Sequence, residues 1–132
     1  MKLSVLPALL ALVFLPIQAK ANESLNLADR TLLQATMQID IDRLTVEGTY
    51  LAFDPIKGNL RTLYPAKNHP MIMRMGEHYI LCSDFRDDKG KNVNIDFYLR
   101  RKGKSFVIFH KSIDQRYIVK AMMKKGVVTV AN

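Results

Sequence analysis

Three kinds of hydrophobic pattern follow one another along the chain. From Leu3 to Ile17 nearly every residue is apolar, broken only by Ser4 and two prolines, with Lys2 before the run and Ala19-Lys20-Ala21 after it. A basic start, a short apolar stretch and a small-x-small end predict a cleaved export leader over residues 1–21, with the mature chain starting at Asn22. The run falls short of the roughly 20 residues that span a bilayer. No cysteine stands at the cut to carry a lipid. The expected product is periplasmic or secreted, with no transmembrane segment after cleavage.

The second pattern is helical. Leu33, Met37, Ile41 and Leu44 recur at the spacing of one helix face, in a stretch without Gly or Pro. Asn26 can cap its start and Asp29 sits in its first turn, so a helix is expected over residues 27–45. A strand would also explain the alternation of Met37, Ile39 and Ile41 with Gln38, Asp40 and Asp42, and helix is preferred.

From Thr49 onward the pattern becomes short extended runs cut by turn residues. Thr49 to Phe53 and Leu60 to Tyr64 flank Asp54-Pro55-Ile56-Lys57-Gly58-Asn59 and read as a hairpin, with Gly48 as the helix stop. Pro65 to Pro70 reads as a loop. Met71, Met73 and Met75 alternate in what reads as a short core strand, although methionines also make adaptable binding edges. Glu77 to Phe85, Asn92 to Arg100 and Ser105 to Ser112 form an antiparallel meander, with breaks at Lys89-Gly90-Lys91 and Lys102-Gly103-Lys104. A final helix, capped by Ser112 or Asp114, turns Tyr117, Ile118, Ala121 and Met122 toward a core and stops at Lys124, Lys125 and Gly126. Val127 to Val130 is the last strand.

The expected fold is therefore α+β: a curved, mostly antiparallel sheet of about five to seven short strands packed against an N-terminal and a C-terminal helix, one domain over residues 22–132. In topology it resembles small curved-sheet folds that wrap a helix, such as cystatin-like and nuclear-transport-factor-like domains. A shared topology implies no activity.

Charge narrows the partners only slightly. The full chain carries a formal net charge of +8, and loss of Lys2 and Lys20 with the leader lowers it to +6. Such a field favours an anionic envelope component or an acidic protein. Nucleic acid is not expected, because no recognition motif accompanies the charge. Cys82 is the only cysteine, so no intramolecular disulfide can form. Its expected role is a small buried hydrophobe. His69, His78 and His110 lack ligand spacing on one element, and Cys82 with Asp84 and a histidine makes an improvised set, so no metal and no cofactor are expected.

The candidate chemistry lies in the meander. Three-residue turns ending in a left-handed Gly90 and Gly103 pair Phe85 with Val93, Ser83 with Ile95 and Leu81 with Phe97, then Ile95 with Phe109 and Phe97 with Val107. The opposite face then reads Asp84-Asn94-His110, Cys82-Asp96-Ile108 and Ile80-Tyr98-Phe106. With two-residue turns Asp84 and His110 still share a row, bridged by Ile95. Two strand spacings, about 9.6 Å, would separate their backbones.

Two functions from different classes follow. The preferred reading is a small exported binding or accessory protein that docks a protein partner or anionic envelope component. Its binding residues would be Asn94, Asp96, Tyr98 and Phe106 on the polar face and the basic tip Arg100, Arg101 and Lys102. A homodimer through this face is a further expectation. The alternative is a small-molecule hydrolase or isomerase in which Asp84 and His110 supply a base and its orienting partner.

Overall fold

The computed structural model describes residues 24–131, so the expected leader lies outside the described residues. Helix α1 spans Leu27–Leu44, and the side chain of Asn26 caps it by accepting from the Asp29 amide at 2.8 Å. Leu33, Met37, Asp40 and Ile41 form its buried face, whereas Ile39 is 65% exposed. That distribution has the helical period and removes the strand alternative.

Seven strands follow in one antiparallel sheet: β1 (Thr45–Val46), β2 (Thr49–Asp54), β3 (Asn59–Met75), β4 (His78–Arg86), β5 (Asn92–Lys102), β6 (Ser105–Ile113) and β7 (Val128–Val130). Helix α2 (Arg116–Lys124) lies between the last two. The strands run β1 to β6 in spatial order, and β7 pairs with β3. The expected α+β class, antiparallel sheet and two helices are present. Among the described residues no helix is long and apolar enough to cross a membrane.

Each helix covers one sheet face. Against α1, Leu33, Met37 and Ile41 pack with Tyr50, Leu63, Ile72, Leu81, Phe85, Ile95, Phe97 and Leu99 in the main core. On the other face a smaller cluster joins Met73, Ile80 and Tyr98 to Val119 of α2 and Val128 of β7. Cover on both faces explains why the central strands β4 and β5 are buried or half-buried at every position from Tyr79 to Phe85 and from Val93 to Leu99, polar Ser83, Asp84, Asn94 and Asp96 included.

Several sequence expectations give way here. Gly48 does not stop α1: it forms, with Glu47, a two-residue turn between β1 and β2, both residues having positive φ. Pro65 to Pro70 is not a loop but the middle of the 17-residue strand β3, whose register slips between Pro65 and Lys67 and again between Asn68 and Ile72. Prolines lack a ladder donor and are accommodated where pairing is already broken. No side chain caps α2, which starts after Gln115; Ser112 belongs to β6 and Asp114 binds Arg61. The sheet-facing side of α2 is Arg116, Val119 and Met122, leaving Tyr117, Ile118 and Ala121 outward.

Candidate functional site

The polar residues of the meander stand on the α2 side of the sheet, and strand register decides which of them meet. Between β4 and β5 the expected pairs are present: Phe85 with Val93, Ser83 with Ile95 and Leu81 with Phe97. The turn chemistry explains this. The Asp87 amide donates to Lys91 O and the Gly90 amide to Asp87 O, each at 3.0 Å, so three residues close the hairpin and only Gly90 needs positive φ.

Between β5 and β6 the expected register is wrong. Lys102 pairs with Ser105, so the turn is the two-residue Gly103-Lys104, with Gly103 at φ 60 and Lys104 outside the left-handed region. This is the type II′ arrangement, which needs glycine at the first central position alone. A bulge at Phe109 then shifts the pairing again, between Tyr98 and Leu99. Ile95 consequently pairs with Ile113 rather than Phe109, and Phe97 with Lys111 rather than Val107.

The rows on the α2 face change accordingly. Tyr98 lies between Ile80 and His110, and Asp96 between Cys82 and Ser112. Asn94 follows Asp84, and its carbonyl accepts from the Asp114 amide at 2.8 Å. Asp84 and His110 are thus separated by four residues along the strands, about 13 Å, in addition to the two strand spacings. They do not share a site. His110 instead lies against the Tyr98 ring with centroids 5.2 Å apart. Phe106 also leaves the expected row: it is buried on the α1 side, edge-on to Tyr79 at 5.6 Å.

Asp84 has a different histidine. The β3 irregularity between Asn68 and Ile72 brings His69 over the α2 face, where its Nε2 stands 2.9 Å from Asp84 Oδ2. Asn94 Nδ2 donates to the other oxygen, Oδ1, and Asn92 Nδ2 approaches it at 3.4 Å. Cys82, two residues before Asp84 and on the same face, is buried beside them. The donor atoms of His69, Cys82 and Asp84 all lie within 4.8 Å of one another. Burial pushes the Cys82 thiol up to about 12, with the Asp96 carboxylate adding to the rise and Arg116 opposing it. A thiol so held is protonated at neutral pH and is no nucleophile.

Asp96 is fully buried behind this cluster and accepts from Arg116 Nη1 of α2, while its Oδ2 has no hydrogen-bond partner. Burial raises its carboxyl and the Arg116 charge opposes the rise. Asp96 and Tyr98, expected on an open binding face, are therefore covered in part by α2. At the basic tip, Arg101 binds Asp29 in the first turn of α1 and stacks over Phe106 with its guanidinium carbon 4.6 Å from the ring centroid. Arg100 and Lys102 beside it are exposed.

Three further groups escaped the sequence reading. Beneath α1, Lys111 Nζ reaches Asp40 at 2.6 Å and the Tyr50 hydroxyl at 3.2 Å, beside a cavity of about 170 Å³ lined by Leu44, Ala52, Phe53, Ile95 and Ile113 among others. Burial raises the Tyr50 hydroxyl and the Lys111 contact opposes it. A cleft of about 470 Å³ runs between α1 and the bulged part of β3, bordered by Arg30, Gln34 and Pro70. Finally, Val46, Leu51, Phe53, Leu60 and Tyr64 are 43–67% exposed. Alternation and the pairs Val46 with Thr49, Leu51 with Thr62 and Phe53 with Leu60 put all five on the side of the β1–β3 hairpin opposite buried Tyr50, Ala52 and Leu63. The sequence signal for this patch was present, because both faces of β2 and β3 are apolar there.

No family model, curated protein or solved structure matches this chain.

Proposed function

We propose that this is a small exported binding or accessory protein that docks a protein partner on the outward face of its β1–β3 hairpin. The observation that carries the reading is the group of five exposed apolar side chains on that face, Val46, Leu51, Phe53, Leu60 and Tyr64. Large apolar side chains clustered on a sheet face that no element among the described residues covers are a recurrent feature of protein interfaces. A protein with an apolar surface fits this patch better than an anionic envelope component, since the five side chains carry no charge and, at the basic tip, Arg101 is already engaged by Asp29. The hydrolase or isomerase alternative required Asp84 and His110 on one substrate and loses its support with the β5–β6 register.

The test is site-specific photocrosslinking in the exported fraction of the source cells. With the crosslinker at Leu51 or Leu60, the expected result is one shared protein adduct, absent with the crosslinker at Lys89 and absent when Phe53→Asp is added. A self-adduct of twice the chain mass would identify the partner as a second copy. No adduct at either hairpin position, or the same adducts at Lys89, would overturn the proposal. The mass of the recovered chain tests export: it should begin at Asn22, and a chain retained inside the cell with Met1 would remove that part of the reading.

A further inference from the structure

We propose that His69, Cys82 and Asp84 form a three-ligand binding site for a Zn²⁺ ion. This goes beyond the docking reading and rests on different residues. The cluster combines nitrogen, sulfur and oxygen donors within 4.8 Å of one another. A tetrahedral zinc centre with ordinary bond lengths separates such donors by about 3.3 to 3.7 Å, so the longest pair need close by only about 1 Å.

The approach of His69 to Asp84 is the second observation. Nε2 and Oδ2 are 2.9 Å apart, yet Nε2 is buried and makes no hydrogen bond. A divalent cation seated between these two atoms would satisfy both, the nitrogen that has no hydrogen-bond partner and the carboxylate oxygen that faces it. Asp84 is also prepared for single-oxygen ligation: the amides of Asn94 and Asn92 engage Oδ1 and leave Oδ2 facing His69. Carboxylate ligands are commonly oriented by hydrogen bonds of this kind.

Charge balance selects the ion. A Cys82 thiolate and an Asp84 carboxylate neutralise a divalent cation, and the adjacent Asp96–Arg116 pair adds no net charge. On binding, the Zn–S bond replaces the S–H bond and the proton leaves to the buffer. A thiolate, an imidazole and one carboxylate suit zinc better than magnesium or calcium, which take oxygen donors. Cys82 lies at the buried end, whereas the Asp84 side chain is 18% exposed and that of His69 40%, so the three-ligand set reaches from the sheet interior toward the surface. The sequence expectation of no metal rested on ligand spacing, which a bulge in β3 makes irrelevant.

The experiment is calorimetric titration of the leader-free protein with Zn²⁺ alone, paired with absorption spectra of the Co²⁺ form. We expect one equivalent of Zn²⁺, release of about one proton, and a thiolate-to-cobalt charge-transfer band. His69→Ala, Cys82→Ser and Asp84→Asn should each weaken binding by more than about tenfold, whereas His78→Ala and His110→Ala should not. His69 is the most exposed ligand, so its variant keeps the test valid if a buried substitution unfolds the protein. No stoichiometric binding, a Co²⁺ form without the thiolate band, or binding that survives His69→Ala would overturn the site.

Discussion

Single residues in this protein carry energy mainly where a carboxylate is buried. Asp54 closes the β2–β3 turn, its Oδ1 accepting from the Ile56 and Lys57 amides at 3.0 Å each and its Oδ2 meeting Arg61 at 3.3 Å. Burial alone would raise its carboxyl, but the two amides and the guanidinium outweigh burial and hold it below the usual range. Because the folded value is depressed, the stabilisation is full above about pH 5 and is lost as the pH falls through the ordinary aspartate value of about 3.9 toward the folded one. Asp54→Ala should cost about 1 to 3 kcal/mol at neutral pH. Urea unfolding of both proteins should show that gap narrowing as the pH approaches about 3; an unchanged gap would contradict the assignment.

Asp96 has the opposite sign. Burial raises its folded carboxyl value, so ionisation weakens the fold as pH rises, and Arg116 offsets that cost. Removing the partner leaves a buried uncompensated charge. Arg116→Met is expected to lose about 3 kcal/mol at neutral pH and less in acid, where Asp96 is protonated. Adding Asp96→Asn should recover part of the loss, which a double-mutant cycle measures directly.

At the scale of elements, the bulge at Phe109 is the feature on which the α2 face depends. It puts His110 and Ser112 beside Tyr98 and Asp96 on one face, and Lys111 under α1 on the other. Phe109 itself is 48% exposed. Phe109→Ala should therefore cost less than about 1 kcal/mol, as a half-exposed side chain does. Deleting the residue should be far more damaging, because it swaps the faces of either His110 and Lys111 or the residues before them. Equal denaturation midpoints for the two variants would show that the bulge is not needed. The β4–β5 hairpin was readable because Gly90 restricts the turn and both strands are regular. In the β5–β6 hairpin, Gly103 suits more than one turn length, and no local pattern marks the bulge.

For the whole molecule, the main core is one unit spanning α1 and the sheet from β2 to β6. Met37 sits at its centre with no solvent exposure. Met37→Ala should cost about 2 to 5 kcal/mol, and far-UV dichroism and tyrosine fluorescence should report the same transition. Separate transitions would show that α1 and the sheet unfold independently. Cys82 offers a third probe of the same event: with its thiol pushed up to about 12, it should resist thiol reagents at neutral pH until the chain opens.

Short-range chemistry was sufficient for the local elements. Asn26 and the Leu33, Met37, Ile41 spacing determined α1, Gly90 and its neighbours the first meander turn, and Lys124 to Gly126 the end of α2, because caps, turns and periodicity act over a few residues. Tertiary structure alone decided which side chains meet. Prolines 65 and 70 concealed a long bulged strand, so His69 rather than His110 came to Asp84. The bulge at Phe109 moved the face of β6, and the buried Asp96 drew Arg116 inward with α2. Each depends on register and on compensating a buried charge, which are settled only when distant strands pack together.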